Sequence, residues 1–199
     1  MAEHPFRTLS VTPLHTGFTR VESHEVEVAL RAGGRQTYRR EVHVHPGGVA
    51  VFAYDPVLKV AVLVRQLRVA VAVAGRGDPH ALEVIAGLSD KAGEPPAETA
   101  RREAEEEAGL KLGAMVPLGM AFTTPGISTE RIHLFLAETS LDRDRIGPGG
   151  GAVEEHEDIE VVILPLAELA RMADAGDLED LKTLALVQSL RVRRPDLFA

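Results

Sequence analysis

Hydrophobic and polar positions change texture several times along the chain, and each change predicts an element. From Phe18 to Arg68 the texture is strand-like: Val21 to Val28 partly alternates, Gly33-Gly34 marks a turn, and Gln36 to Val44 follows as a second strand. Gly48 to Tyr54 and Val60 to Val64 are nearly continuous in β-branched residues and Ala, with Asp55-Pro56 between them. That pattern predicts a buried hairpin rather than a half-solvated one. A short strand is expected at Leu82 to Ile85. Pro95-Pro96 then opens a helix that Gly109 closes, with Ala97, Ala100, Ala104 and Ala108 forming a small-residue inner face. Strands are expected near Met115 to Thr123, Arg131 to Glu138 and Ile159 to Leu164. Helices follow at Leu166 to Ala175 and about Leu181 to Val192, and Gly147 to Gly151 reads as a flexible loop by composition. The elements imply an α/β (α+β) fold in which helices flank a mixed sheet in an αβα sandwich, preceded by an N-terminal antiparallel β-region. The expected division is 1–46 for that region and 47–199 for the main domain.

Composition narrows the function classes. At 199 residues, 45% hydrophobic and 26% charged, the chain can bury a full core. It has no Cys, which excludes disulfides, thiolate metal sites and Cys nucleophiles. No apolar run approaches the roughly 18 residues of a membrane span, and Met1 to Phe6 lacks the apolar stretch of a signal peptide, so a cytoplasmic protein without a membrane partner is expected. The net charge of −8 argues against general nucleic-acid binding. Its distribution is more informative, since residues 1–68 are net +3 and the remainder −11. Glu94 to Glu107 and Glu154 to Glu160 together hold 11 of the 30 acids in 21 residues. The ordinary reading of such runs is a solvated face, because like charges at this density repel.

Spacing separates the first run from that ordinary reading. On a helix Glu103, Glu106 and Glu107 stand at i, i+3 and i+4, so their carboxylates share one side, beside the Ala100 and Ala104 stripe. Converging carboxylates suit a hard divalent cation such as Mg²⁺, or Mn²⁺ in its place. Mg²⁺ is commonly completed by substrate phosphates, which points to phosphate chemistry.

The stretch Arg102-Glu103-Ala104-Glu105-Glu106-Glu107-Ala108-Gly109-Leu110, with seven residues between Glu94 and Arg102, resembles the signature of the Nudix hydrolases, G-x5-E-x7-R-E-U-x-E-E-x-G-U. Six residues rather than five separate Gly87 from Glu94, and the extra one falls in the Ser89 to Gly93 loop. The resemblance implies Glu103 and Glu107 as principal metal ligands, Glu106 assisting, the Ala86 carbonyl completing the shell, and Arg102 orienting Glu94. Outside the signature, Glu83 followed by Ala86-Gly87-Leu88 resembles the approach to the box in ADP-ribose pyrophosphatases, with Ile85 where those enzymes have Pro. Pro125 stands 15 residues past Leu110, close to a subgroup proline. Val64-Arg65-Gln66-Leu67-Arg68 is similar to a strand shared with the GDP-mannose hydrolases, and Gly149 to Ile159 to their acidic loop.

That likeness implies an Mg²⁺-dependent pyrophosphatase splitting a nucleoside diphosphate sugar, ADP-ribose or GDP-mannose, into NMP and a sugar phosphate. It also implies a swapped homodimer built by the N-terminal strands. Glu155 is then the first candidate for general base, Glu157 a further metal ligand, and Glu154 a fallback base. Arg65 and Arg68 are candidates to clamp a phosphate, and Arg39 and Arg40 to reach a partner's site. Two other readings stand beside this one: a Nudix-fold module that binds a nucleotide sugar without cleaving it, and an enzyme that cleans oxidised nucleoside triphosphates from the pool.

Overall fold

The computed structural model describes residues 5–75, 78–151 and 157–199. The chain separates into two compact units. One comprises the residues up to Gly47 together with Phe122–Arg131, and the other Gly48–Ala121 with Ile132–Ala199.

The first unit is a three-stranded antiparallel sheet, β1 (Phe6–Thr16), β2 (Arg20–Ala29) and β3 (Arg35–Val44), in that spatial order. Strand β1 is absent from the sequence-based expectation because Pro13 interrupts it and its apolar residues do not alternate cleanly. Its register with β2 shifts twice, between Thr8 and Ser10 and between Pro13 and His15, which is how the irregular pattern is accommodated. β1 is exposed along its whole length, and Phe6, Leu9, Val11 and Leu14 are all open to solvent. The segment from Phe122 to Arg131 joins this unit through the parallel bridge His43–Ser128 and the bonds His43 N–H to Ile127 O (2.7 Å) and Thr129 N–H to His43 O (3.0 Å). Pro125 lies in the exposed turn that Ile127 and Ser128 close on the Thr124 carbonyl.

The second unit carries the larger sheet. Its strands run β10 (Ile159–Pro165), β5 (Val60–Leu67), β4 (Gly48–Asp55), β9 (Arg131–Glu138), β8 (Met115–Phe122). β6 (His80–Glu83) is paired to β5 and β7 (Ile85–Leu88) to β4. β4 is antiparallel to β5 and β7 and parallel to β9, so the sheet is mixed. The continuous apolar run of β4 has the expected cause, since both faces are covered. Val49, Val51 and Ala53 pack with Ala100, Ala104 and Ala108 of α2 (Pro96–Ala108). Ala50, Phe52 and Tyr54 pack with α4 (Leu166–Ala175) and α5 (Leu181–Arg193). The single strand expected at Leu82 to Ile85 is two strands broken at Val84, whose N–H donates to the Thr183 hydroxyl (2.8 Å). Two short helices, α1 (Val69–Val73) and α3 (Leu141–Asp144), and a closing 3₁₀ turn at Pro195–Leu197 are too brief to leave a periodic signature. No helix among the described residues is long and apolar enough to cross a membrane.

Candidate active site

Helix α2 begins at Pro96, as its missing N–H allows, and ends at Gly109 in the left-handed conformation, where the Leu110 N–H returns to the Ala104 carbonyl (2.9 Å). Alanines along the inner face let the helix approach the sheet closely. As a result Glu107, next to Ala108 of that stripe, is carried into the interior at 3% exposure. Its Oε2 accepts from the Ala86 N–H of β7 (3.2 Å). Glu103 lies one turn earlier, against Gly87. A Cβ on Gly87 would stand 2.0 Å from the Glu103 carboxyl carbon, so only glycine leaves room for that carboxylate beside the strand. The β7 backbone and the two glutamates therefore form one cradle.

Electrostatics identify what the cradle lacks. Burial pushes the Glu107 carboxyl up to about 8, reinforced by Glu103 and Glu157, with the Ala86 N–H and Arg68 opposing. Burial likewise pushes Glu103 up to about 7, Arg102 opposing and Glu106 and Glu157 reinforcing. Two adjacent acids, one buried and one half-buried, held this far above their ordinary range are stabilised when a cation joins them. The donors are all oxygen, which suits a hard divalent ion. Among the described residues no three acidic or His side chains already close on one point. The Arg102 guanidinium instead sits on Glu103 (2.8 Å) and Glu106 (2.8 Å), with Glu94 at 3.7 Å.

Arg102 thus serves Glu103 and Glu106 more closely than Glu94, whose carboxylate accepts from the Thr99 hydroxyl (2.8 Å). Thr99 is fully buried, and the sequence reading passed over it. Arg102 Nε is buried with no hydrogen-bond partner among the described residues. The extra residue between Gly87 and Glu94 is taken up by a turn in which the Glu94 N–H bonds the Lys91 carbonyl (3.1 Å), so α2 keeps its place.

The glycine-rich segment differs from the flexible loop expected of it. Gly150 N–H donates to the Glu107 carbonyl (2.9 Å) and Gly151 N–H to the Glu106 carbonyl (3.1 Å), tying the segment to the last turn of α2. A Cβ on Gly149 would stand 2.3 Å from the Glu107 carbonyl oxygen. Glycine serves there both the close approach and the left-handed backbone, at φ +71°. This contact brings the chain back towards the cradle, where Glu157 acts electrostatically on both Glu103 and Glu107. Glu154 and Glu155 lie outside the described residues.

The arginines are placed unequally. Arg68 presents Nε and Nη2 to Glu83 (2.6 and 3.1 Å), so the fork expected to meet a phosphate already holds a buried carboxylate. Arg65, three positions earlier, pairs with Glu160 on β10 (3.1 Å) and lines a shallow cleft of about 380 Å³ with Asp78, His80 and Asp158. The two do not form a joint clamp here. Arg39 pairs with Glu25 (3.7 Å) and Arg40 lies over the Tyr38 ring (4.2 Å), both on the three-stranded sheet. Glu83, Asp180, Lys182 and Thr183 form a group beside Arg68 that local sequence does not announce. The one signal for them was the Asp180-x-x-Thr183 spacing of a helix cap, which the structure realises with Thr183 N–H on Asp180 (2.9 Å).

Residues 44–187 match the NUDIX domain family. The chain is 40% identical over 156 residues to a GDP-mannose pyrophosphatase of Cronobacter sakazakii, covering 78% of this chain and 79% of that one. It is 37% identical over 166 residues to a GDP-mannose pyrophosphatase of Salmonella arizonae, covering 83% and 84%. The crystal structure of an ADP compounds hydrolase shares the fold, with a TM-score of 0.72 at 21% identity over 98% of this chain and 97% of that one. With the signature helix folded against β7 as the spacing requires, and a family match spanning most of its length, this chain belongs to the Nudix family of hydrolases.

Proposed function

We propose that this Nudix hydrolase cleaves the diphosphate of a nucleoside diphosphate sugar, GDP-mannose or ADP-ribose, to NMP and a sugar phosphate. The observation that carries the reading is the pairing of a buried Glu107 with a half-buried Glu103 under the Ala86–Gly87 strand, with carboxyls that a cation would stabilise. The names of the similar enzymes supply the substrate class.

Glu103 and Glu107 would hold divalent ions, Mg²⁺ in the first instance, assisted by Glu106, Glu157 and the Ala86 carbonyl. Such ions, when bound, neutralise a diphosphate and lower the pKa of an attacking water. The chain's own contribution is placement. The Ala86 N–H fixes one Glu107 oxygen, and Gly87 gives Glu103 its clearance. Arg102 holds Glu103 and Glu106 in fixed rotamers, and its charge is favoured because those carboxylates and Glu94 more than offset burial. Glu155 is the proposed general base, taking the proton of the attacking water, with Glu154 next in order. Arg68 and Arg65 are the proposed phosphate contacts, and Pro125, Arg39 and Arg40 further substrate contacts.

A homodimer completes the proposal. β1 is an edge strand with Phe6, Leu9, Val11 and Leu14 exposed, and an apolar edge of that length is stabilised by pairing with a second copy. The deciding experiment incubates the protein with Mg²⁺ and a panel of nucleotide sugars and identifies products. NMP with sugar phosphate is expected. Tight binding without NMP would establish a binding module instead, and pyrophosphate from nucleoside triphosphates alone would establish the pool-cleaning activity.

A further inference from the structure

Thr99 lies one turn before Glu103 on α2 and is fully buried, beside the alanines of the inner face. Its hydroxyl donates to Glu94 Oε2 (2.8 Å), whereas the Pro95 carbonyl stands at 3.5 Å, so the bond to Glu94 is the one it makes well. The same Glu94 oxygen faces Arg102, whose Nη2 stands 3.7 Å away and closes instead on Glu103 Oε1 (2.8 Å). Arg102 Nη1 holds Glu106 Oε2 (2.8 Å), and Nε is buried with no hydrogen-bond partner among the described residues. The Glu94 and Arg102 side chains are each 21% exposed, so water offers either of them little in exchange for a lost partner. The Thr99 hydroxyl therefore occupies the oxygen through which Glu94 would compete with Glu103 for the guanidinium.

We infer that Thr99 is a positioning residue for the metal cradle: by donating to Glu94 it keeps that carboxylate off Arg102, and so leaves Arg102 on Glu103. Without the hydroxyl, a poorly solvated carboxylate loses its donor beside a guanidinium that has a donor to spare, and the two close the remaining distance. Arg102 Nη2 is then drawn from Glu103, whose carboxylate loses the contact that fixes it against Gly87. The sign follows from this competition. Loss of the Thr99 hydroxyl weakens cation binding only while Glu94 keeps its charge. Thr99 touches neither metal nor substrate. It acts through Glu94 on Arg102, and the inference rests on Glu103 holding a cation as proposed above.

The test is a cycle of Thr99→Val, Glu94→Gln and the double variant in the full chain, with Thr99→Ser beside them and Mn²⁺ as the probe. Free Mn²⁺ is counted from its electron paramagnetic resonance signal without nucleotide, which gives Kd apart from turnover. Valine keeps the branched shape and lacks the hydroxyl, whereas serine keeps the hydroxyl and lacks the methyl, so the pair separates hydrogen bond from packing. Thr99→Val is expected to raise the Kd for Mn²⁺ about fivefold, while Thr99→Ser stays within about twofold of the parent. The double variant should match Glu94→Gln, because a neutral amide no longer draws Arg102 away. Melting curves in EDTA show whether each variant is folded, and Thr99→Ala supplies a second hydroxyl-free variant should Thr99→Val unfold. An unchanged Kd in the folded hydroxyl-free variant overturns the inference. So does an equal rise with and without Glu94→Gln, or a rise in Thr99→Ser as large as in Thr99→Val. A parent that binds Mn²⁺ but cleaves no nucleotide sugar removes the proposed function and leaves the Kd cycle to decide on Thr99. A parent that binds no Mn²⁺ removes both.

Discussion

Strand β4 has a helix layer on each face and every residue from Gly48 to Asp55 buried, whereas β1, three residues longer, has every residue exposed. Both are rich in strand-forming residues, so β propensity does not separate them. The difference lies in what neighbours supply. Next to β4 the small inner face of α2 brings backbone close to backbone, and that closeness is what carries Glu107 out of water and half-buries Glu103. Among the described residues β1 pairs with β2 alone, and a two-layer domain needs a second surface over an apolar sheet. One region invests its packing in holding charge where a cation is wanted. The other leaves apolar surface that the proposed second chain would cover.

Each side of this contrast can be broken. The largest effect is expected from Glu107→Gln, which keeps the shape of the buried side chain and removes its charge. It should lower kcat by about 10³, on the order of 4 kcal/mol of transition-state stabilisation, with folding intact in circular dichroism. Turnover near that of the parent at saturating Mg²⁺ would exclude Glu107 as a ligand. Gly87→Ala should come next, at roughly tenfold to a hundredfold in kcat. The new methyl stands where the Glu103 carboxylate now lies, and moving it costs about 1–3 kcal/mol. Activity equal to the parent would mean that Glu103 has room the cradle does not show.

On the other side, Val11→Lys or Leu14→Glu puts a charge into the exposed face of β1. Light scattering should then give the 21.4 kDa chain mass in place of twice that value, while the melting transition of the larger unit stays within a few degrees. A parent that is itself monomeric at micromolar concentration removes the dimer and with it any role for Arg39 or Arg40 in a partner's site.

The smallest effect is a pH dependence. Glu103 and Glu107 have carboxyls raised to about 7 and about 8 from a value of 4.5 in the open chain. Between those limits the folded protein binds more protons than the unfolded one, so stability in EDTA falls as pH rises from about 4.5 to about 8. Glu107→Gln should flatten that fall by a few degrees of melting temperature, and the affinity of the parent for Mg²⁺ should climb over the same interval, since only the ionised acids bind. A parent and variant with parallel pH–melting curves would show that Glu107 is not held protonated.

Much of this was legible along the chain. The helix from Pro96 to Ala108 follows from a proline start, a glycine stop and alanines at helical spacing, and the Glu103, Glu106, Glu107 grouping follows from the same period. The buried β4–β5 hairpin follows from two apolar runs about a turn. β1 was not legible, because a proline and two register shifts blur its alternation, and neither was the return of Phe122–Arg131 to the N-terminal unit. Glycines at 149 to 151 signal conformational freedom, which their positive φ angles use, but not that their missing side chains let the loop lie on the end of α2. Arg68 and Arg65 are near in sequence, yet one turns to Glu83 and the other to Glu160.

Sequence alone determined the chemistry that local spacing encodes: which carboxylates share a helix face, where that helix starts and stops, and which strands must be buried on both sides. Only the tertiary structure decided which charges meet across the chain. Glu83 finds Arg68 and Lys182, Glu107 finds the Ala86 N–H, and Thr183 finds Val84, and no period of 2 or 3.6 residues relates any of these pairs. Local spacing fixes direction within one element, whereas the energy of a buried charge depends on every element packed around it.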